Sequence, residues 1–397
     1  MRKLIPHSYT PLPPKHVTCA CFNTTACSDA GNILRDFTQT QHCLLVSSGR
    51  FALYLILQTI KTISSKRTII IPAYTCPSVA NAAIKAGFSL CLCDIAEDSL
   101  NLDPNNLKQC ETENIAAIIP AHLFGIPCDM NRITTFTRNH NLFAIEDTSQ
   151  ALGALYKNKP VGSTGDFSFF SFGLSKPLVA INGGAIGVNN DTCVNAIKST
   201  MANNILRPSV ITNIWKTLEL AGYSLLINPR LYPLLRKTPV NFNDRAIKIE
   251  TQKGRRLTNV QSRLIMQSIG NIDKVNNIRK KNGKYLLEHL NELEEIRTFT
   301  SSADSTAIYL RFPVIFPNKT IRNKTYNSLL KLGIETDKSY DQSIGDIELF
   351  KNHIVSRGNT VNARQAADRI LCLPTHPMIT REHLNIMINT IKKTCHG

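Results

Sequence analysis

Short apolar runs that stop at a polar or turn-forming residue constrain the fold of this chain more than any other feature. Each run is three or four residues long, and they lie at 43–46, 69–71, 90–93, 116–119 and 142–145. Runs of this kind are typical of strands that are buried on both faces of a sheet. Because helix-like segments such as 130–139 alternate with them, the pattern predicts βα units and a parallel sheet.

Ser48, Thr75, His122 and Asp147 each lie shortly after the end of one of these predicted strands. In open α/β sheets, ligands bind beyond the carboxyl ends of the strands. We therefore expect the four side chains to converge on one crevice. The turn at 47–49 also leads from a strand into a helix, whose first N–H groups and dipole attract a phosphate. An ordinary β-α turn explains these residues equally well.

The length of the chain, 397 residues, predicts two domains, because single hydrophobic cores stop growing at roughly 250–300 residues. Residues 1–30 are rich in Pro and then in Cys and Thr, and they predict an extended N-terminal arm. Residues 31–250 are assigned to a large α/β domain and residues 251–397 to a smaller α+β domain. The latter is expected to begin with a long helix at 258–293 and to end with a helix that Thr380 caps.

The segment at 195–250 holds an amphipathic helix pattern and, at 228–239, a basic stretch with several prolines. Apolar residues recur at helical spacing, at Ile211, Ile214 and Leu218. A helix packed against the rest of the protein is favoured over an element that lies on a membrane surface.

The formal net charge of +17 suits nucleic acid, an anionic membrane surface or phosphorylated substrates, and it does not choose among them. No run of five basic residues occurs, so a solvated basic surface is favoured over a nucleic-acid footprint. The twelve cysteines form no C-x-x-C pair, which indicates neither a zinc site nor a disulfide framework. Without a signal-peptide pattern or a long apolar run, a cytoplasmic protein with reduced thiols and no transmembrane segment is expected.

Lys176 lies between an aromatic run and a proline, in FFSFGLSKPL. A lysine is most often a surface residue, but a partly buried one loses proton affinity and becomes an amine nucleophile. Asp147 can hold a protonated ring nitrogen, and Gln150 can lie against the same ligand. A helix N-cap and a solvent-facing amide are the open alternatives for these two. Ser171 and Ser175 can bind a phosphate or cap their own turn.

The stretch at 146–178, EDTSQALGALYKNKPVGSTGDFSFFSFGLSKPL, resembles the heart of the DegT/DnrJ/StrS family of fold-type I enzymes. These enzymes use pyridoxal phosphate (PLP), and most are nucleotide-sugar aminotransferases. The family pattern reads E-D-x-x-Q-A-x-G, then G-D-x-x-x-F-S-F, with a lysine five residues after the serine. Further segments match in order: SSGRFAL, PAYTCPSVANAA, AHLFGIPCDM, RLTNVQ and LPTHPMIT. The resemblance runs from about residue 30 to the end of the sequence.

The resemblance implies an α/β, fold-type I PLP-transferase with a large, mostly parallel-sheet domain and a smaller C-terminal α+β domain. It makes Lys176 the catalytic residue, as the Schiff-base lysine and proton shuttle, and Asp147 the partner of the pyridinium nitrogen. Gln150 is expected to pack on the cofactor ring or to hydrogen-bond it. No metal is expected. The cofactor phosphate is expected to be bound by Ser171 and by the backbone of Gly49, Arg50 and Phe51.

Three positions depart from the family pattern. Arg50 stands where Thr or Ser is usual, so a guanidinium either compensates for the lost hydroxyl or points elsewhere. Cys76 stands where an aromatic residue often covers the cofactor, which leaves Tyr74 as a substitute. Gly254 stands where an Asn reaches the phosphate of the partner subunit. These departures bear on the substrate and the subunit interface more than on the chemistry.

The resemblance implies transamination from an amino acid, glutamate in the family, to a keto-sugar nucleotide, for polysaccharide or amino-sugar biosynthesis. A homodimer is expected, and no nucleic-acid partner. Two alternatives stay open. A sugar dehydratase of this family has histidine in place of the lysine, so Lys176 argues against it. A non-catalytic PLP-fold binding or assembly protein lacks support from any helix-turn-helix or basic-aromatic motif.

Overall fold

Eight strands form one sheet in the structure, a computed structural model that describes residues 4–22, 29–111, 113–206, 208–226 and 254–396. Their order is β1-β9-β8-β5-β4-β2-β3-β14, and β9 alone runs antiparallel to both of its neighbours in this sheet. The strands of the sheet are β1 (His42–Val46), β2 (Thr68–Pro72), β3 (Ser89–Cys93), β4 (Ile115–Ile118), β5 (Phe143–Asp147), β8 (Phe167–Ser171), β9 (Gly184–Val188) and β14 (Ile354–Arg357). The predicted mostly parallel sheet is thereby confirmed.

Shorter strands pair outside this sheet. β13 (Arg311–Ile315) pairs with β15 (Ile370–Pro374), and both belong to the C-terminal part of the chain. β10 (Ile205–Leu206) pairs with β11 (Gly254–Arg255). β6 (Leu155–Tyr156) lies between β12 (Ser305–Thr306) and β7 (Lys159–Pro160) in a three-stranded sheet.

The apolar composition of β2 shows why the central strands read as continuous apolar runs. Ile69 and Ile71 point into one hydrophobic core, and Ile70 points into another on the opposite face. Because side chains alternate across a strand, a strand covered on both faces needs apolar residues at every position. Every residue of β2 is buried accordingly.

Twelve α-helices lie in the part of the chain that the structure describes. They are α1 (Pro14–Phe22), α2 (Asp29–Thr38), α3 (Gly49–Ile63), α4 (Pro77–Lys85), α5 (Met130–Asn139), α6 (Val194–Asn204), α7 (Val210–Leu226), α8 (Asn259–Ile269), α9 (Ile272–Leu290), α10 (Lys319–Lys331), α11 (Val361–Arg369) and α12 (Arg381–Cys395). Short 3-10 turns lie at Asn106–Gln109, Leu123–Gly125, Asp191–Cys193, Ile344–Asp346 and Glu348–His353. Thr380 caps α12 through the N–H of His383, which confirms the predicted cap.

Three expectations about the chain need correction. The predicted arm at 1–30 is not extended throughout, because α1 begins at Pro14, and proline suits the first position of a helix. The predicted long helix at 258–293 is two helices, α8 and α9, which are separated at Gly270 and Asn271. Strand β14, from the predicted C-terminal domain, joins the edge of the large sheet beside β3.

Helix α7 contacts α1 and α8, as predicted for a packed helix, but it also carries an exposed apolar face. Ile211, Ile214, Trp215 and Leu218 lie at helical spacing and are 57–78% exposed, whereas Leu220 is fully buried. The periodicity identified the helix correctly, but amphipathic spacing by itself does not say what covers an apolar face. The basic stretch at 228–239 lies outside the described residues.

No helix within the described ranges is both long enough and apolar enough to cross a membrane.

Candidate active site

Asp147 lies at the carboxyl end of β5, in the middle of the sheet, and is buried. Within the described residues its hydrogen-bond partner is Ser149, whose N–H donates to Oδ1 at 2.9 Å. Burial raises the pKa of this carboxyl, and the nearby Lys176, Ser149 and His122 only partly offset that effect. A buried carboxylate with so few donors suits a cationic partner.

Lys176 lies in the loop between β8 and β9 and is half-buried. Desolvation lowers the pKa of its amine, the charge of Arg311 lowers it further, and Cys76 and Asp147 oppose the shift. Asp147 and Lys176 are therefore close enough for each charge to act on the other. A lysine with a lowered pKa holds more neutral, nucleophilic amine near neutral pH than an ordinary lysine.

The N-terminus of α3 lies directly against Ser171, the last residue of β8. A Cβ atom at Gly49 would lie 2.8 Å from the Cβ of Ser171, so only glycine allows this approach. The same constraint holds at Gly184, where a Cβ would lie 2.5 Å from the Gly49 nitrogen. The positive end of the α3 dipole thus lies beside Ser171, and this location favours an anion.

Phe51 and Arg50, the other residues predicted to bind the phosphate, differ in their surroundings at the start of α3. The N–H of Phe51 donates to the N-cap hydroxyl of Ser48 at 3.1 Å, so the cap already satisfies it. The Phe51 ring lies against Gly254, where even a Cβ would clash at 1.9 Å. Gly254 is therefore required by the packing of Phe51. Arg50 is exposed on the first turn of α3.

The amide of Gln150 is held at both ends by the protein. Its Oε1 accepts from the N–H of Phe124 at 3.0 Å, and its Nε2 donates to the hydroxyl of Tyr340 at 2.9 Å. Gln150 therefore links the site to Tyr340, a residue 190 positions later in the chain. Its contact with a cofactor ring stays a prediction.

Aromatic side chains lie beside Cys76. Tyr74 is fully buried, and its ring packs edge-on against Tyr340 at 5.6 Å between centroids. Tyr340 is half-buried, and its pKa is raised well above the ordinary value by burial and by the nearby Cys76. Tyr340 rather than Tyr74 thus offers an aromatic surface beside Cys76.

Glu146 precedes Asp147 and points the opposite way, into the protein. It accepts from the N–H groups of Gly162, Thr164 and Gly165 at 2.7–2.8 Å and from His122 at 3.0 Å. His122 Nδ1 accepts from the N–H of Cys128, which places the ring proton on Nε2, toward Glu146. These donors lower the pKa of Glu146 although it is completely buried.

The structure brings Asp147, Lys176, Ser171 and the start of α3 into one region, as the strand ends predicted. His122 lies at the same sheet edge, but its ring is engaged by Glu146 and Cys128. Sequence reasoning missed Tyr340, Arg311 and the role of Glu146. The first two come from the C-terminal part of the chain and have no local motif, whereas Glu146 stands beside Asp147 in the quoted pattern.

The arrangement combines an amine of lowered pKa, a buried carboxylate and an anion-binding helix start. A ligand with a carbonyl, a protonatable ring nitrogen and a phosphate would satisfy all three.

A model of the DegT/DnrJ/EryC1/StrS aminotransferase family matches residues 31–392. The uncharacterised protein MJ1066 of Methanocaldococcus jannaschii is 24% identical over 364 residues, which are 91% of this chain and 88% of that protein. GDP-perosamine synthase of Caulobacter vibrioides is 34% identical over 178 residues, or 43% of this chain and 48% of that enzyme. The aligned part thus spans about half of that relative.

A solved structure supports the fold independently. Helicobacter pylori PseC, an aminotransferase involved in the biosynthesis of pseudoaminic acid, matches with a TM-score of 0.80 at 18% identity and covers 100% of both chains. Likeness at this level of identity shows a shared fold.

Proposed function

Because the chain belongs to the DegT/DnrJ/EryC1/StrS aminotransferase family, we propose that it transfers an amino group from an amino acid, glutamate, to a keto-sugar nucleotide. The observation that carries the proposal is the convergence of Lys176, Asp147 and the Ser171–Gly49 contact at one edge of the sheet.

The residues at this edge fit PLP, the cofactor of the family. Asp147 would hold the ring nitrogen, since Ser149 is the only described residue that donates to its buried carboxylate. Ser171 and the α3 N-terminus would hold the phosphate, with the exposed Arg50 beside it. Lys176 would bind the carbonyl carbon of the cofactor through its amine. When bound, PLP supplies an electron sink for chemistry at the carbon next to the amino group.

Lys176 would also move the protons. A neutral amine accepts a proton from carbon, and the resulting ammonium returns it to another carbon. Desolvation keeps the pKa of this lysine below the ordinary value, which brings the two forms closer in population near neutral pH. The presence of lysine at this position favours transamination over the dehydratase alternative.

The substrate class is supported by the relatives and by charge. The relative GDP-perosamine synthase is named for a GDP-linked product, and PseC is an aminotransferase involved in the biosynthesis of pseudoaminic acid. The net charge of +17 suits a substrate that carries a diphosphate. We place the activity in polysaccharide or amino-sugar biosynthesis in the cytoplasm.

A homodimer is part of the proposal. The exposed apolar face of α7 supports it, because apolar side chains clustered on a surface commonly mark a contact site. Sedimentation velocity tests this statement. A monomer at micromolar concentration, with and without PLP, would contradict it.

The decisive experiment is an absorption spectrum of the purified protein with PLP, for the native chain and for Lys176→Ala. We expect a visible band in the native protein only, and, after borohydride reduction, the mass of the cofactor on the peptide that contains Lys176. Lys157→Ala, a change of an exposed lysine, serves as the matched control and should keep the band.

Glutamate should then convert the bound cofactor to its amine form in the native protein. If no amino acid does so although the band is present, the aminotransferase proposal fails. A protein without any band that shifts DNA in a salt-sensitive manner would instead support the binding-protein alternative.

A further inference from the structure

Residues 5–10 run across the C-terminal part of the protein and reach the loop of Lys176. Ile5 forms a β-bridge with Ile334, and the carbonyl of Pro6 accepts from His376 Nε2 at 2.8 Å. The ring of Tyr9 packs edge-on against His376 at 5.8 Å. The segment at 5–10 is therefore tied down along its length before it meets the loop.

At the loop, Thr10 makes a hydrogen bond to the backbone of the catalytic lysine. Its Oγ1 lies 2.7 Å from the carbonyl oxygen of Lys176 and 2.8 Å from Nη2 of Arg279. A guanidinium can only donate, and a carbonyl can only accept, so the hydroxyl must accept from Arg279 and donate to Lys176. The direction of both hydrogen bonds is fixed by chemistry.

Arg279 is a fully buried residue of α9, and it links Thr10 to the segment that follows Asp147. Its Nη1 donates to Oδ1 of Asn276 at 3.0 Å, and Nδ2 of Asn276 donates to the carbonyl of Leu152 at 3.0 Å. Leu152 follows closely after Asp147 and Gln150. The hydrogen bonds thus connect the segment after Asp147 with the loop of Lys176 through one helix.

A buried guanidinium is costly unless its donors are satisfied, and here Asn276, the carbonyl of Tyr9 and the hydroxyl of Thr10 accept from Arg279. Burial lowers the pKa of Arg279 to about 9, which agrees with this cost. The loop of Lys176 lies outside the hydrogen-bonded strands of the sheet, so other contacts must hold it. Thr10 donates to this loop, and the hydrogen bond from the charged Arg279 to Thr10 belongs to the stronger kind found in proteins.

We propose that Thr10 and Arg279 are positioning residues that fix the backbone of Lys176 relative to the segment after Asp147. The role in catalysis rests on the proposed function, but the restraint on the loop does not. The N-terminal arm is thereby a part of the active-site architecture.

Hydrogen–deuterium exchange of the cofactor-free protein tests the restraint on the loop. In Thr10→Val, which keeps the shape and removes the hydroxyl, amides at 172–181 should exchange about fivefold faster, the effect of losing one ordinary hydrogen bond. Thr10→Ser keeps the hydroxyl and should restore the native rate. Thr18→Val makes the same chemical change on an exposed part of α1 and should leave the loop unchanged.

Arg279→Lys provides a second test, because an ammonium keeps the charge but cannot satisfy Thr10 and Asn276 together. The loop should again exchange faster, and the PLP dissociation constant should rise about fivefold in both Thr10→Val and Arg279→Lys. Native exchange rates at 172–181 in both variants would overturn the proposal. Faster exchange in a protein that forms no PLP band would retain the restraint and reject the proposed function alone.

Discussion

Glu146 and Asp147 are consecutive, buried carboxylates at the end of one strand, yet they behave in opposite ways. On the Glu146 side, four donors surround the carboxylate and lower its pKa. On the Asp147 side, Ser149 alone among the described residues donates to the carboxylate, and burial raises its pKa. Because side chains alternate along a strand, the two acids face different surroundings.

The comparison teaches that the hydrogen-bond donors around a buried carboxylate, rather than its burial, set the direction of its pKa shift. Glu146 needs no ligand, since the protein already supplies its hydrogen bonds. Asp147 is left with capacity for a cationic partner, at a cost in folding free energy. Four predictions test this difference.

The largest effect is expected on the Glu146 side. Glu146→Gln should lower the free energy of unfolding by about 3–5 kcal/mol, because it replaces an anion that several buried donors require. Urea denaturation of the cofactor-free protein measures the change. Glu348→Gln, which removes an exposed ion pair with Lys351, should cost at most about 1 kcal/mol. An equal effect of the two changes would contradict the structural role of Glu146.

The second effect is expected in activity rather than stability. Asp147→Asn should lower transaminase kcat by about 10²–10³-fold, the usual effect of removing one preorganised electrostatic group. The free energy of unfolding should stay within about 1 kcal/mol or rise. The pKa of Asp147 is higher in the folded than in the unfolded chain, so the fold disfavours the charged carboxylate. The free energy of unfolding therefore falls as pH rises from the unfolded pKa through the folded pKa. Asn carries no charge and avoids this loss. A large loss of stability would show that the two acids are alike.

A third effect concerns the pH dependence of Lys176 reactivity. The neutral amine should appear at lower pH than for the same peptide in the unfolded chain, because the pKa of Lys176 is lowered in the fold. Asp147→Asn should move the midpoint lower still, since the Asp147 charge raises this pKa, and Glu146→Gln should not move it. Acetylation of the cofactor-free protein, followed by mass spectrometry across pH, measures the midpoint. A midpoint that responds equally to both changes would remove the distinction between the two sides.

The smallest effect is expected at Tyr340, on the Asp147 side. Tyr340→Phe removes the acceptor of Gln150 Nε2 and should lower the free energy of unfolding by about 1 kcal/mol. Tyr326→Phe keeps the ring that lies under Lys338 and should have a smaller effect. Thermal or urea unfolding of the two variants provides the comparison, and equal values would indicate that the Gln150 contact is unimportant.

Local pattern predicted much of the fold. Strands β1 to β5, the bounds of α5 and the cap at Thr380 follow from periodicity and from capping chemistry, which involve only neighbouring residues. The candidate residues Lys176, Asp147 and Ser171 lie at or just after strand ends, and those ends meet at one edge of a parallel sheet. Their grouping therefore could be predicted, although their roles stay proposals.

Long-range contacts could not be predicted in this way. Thr10 meets Lys176 across 166 positions, and Gln150 meets Tyr340 across 190. Such contacts depend on how completed elements pack, which no spacing within one segment encodes. The exposed face of α7 shows the same limit, because its pattern predicted a packed helix but could not show that Ile211, Ile214 and Leu218 stay exposed.

The sequence by itself determined the parallel sheet, the family resemblance and the acid, lysine and serine of the candidate site, since each depends on residues close together in the chain. Only the tertiary structure decided which carboxylate of the pair at 146–147 is satisfied, and that the N-terminal arm holds the loop of Lys176. The physical reason is that hydrogen-bond donors for buried groups come from distant segments, and their number sets both the pKa and the stability of the group.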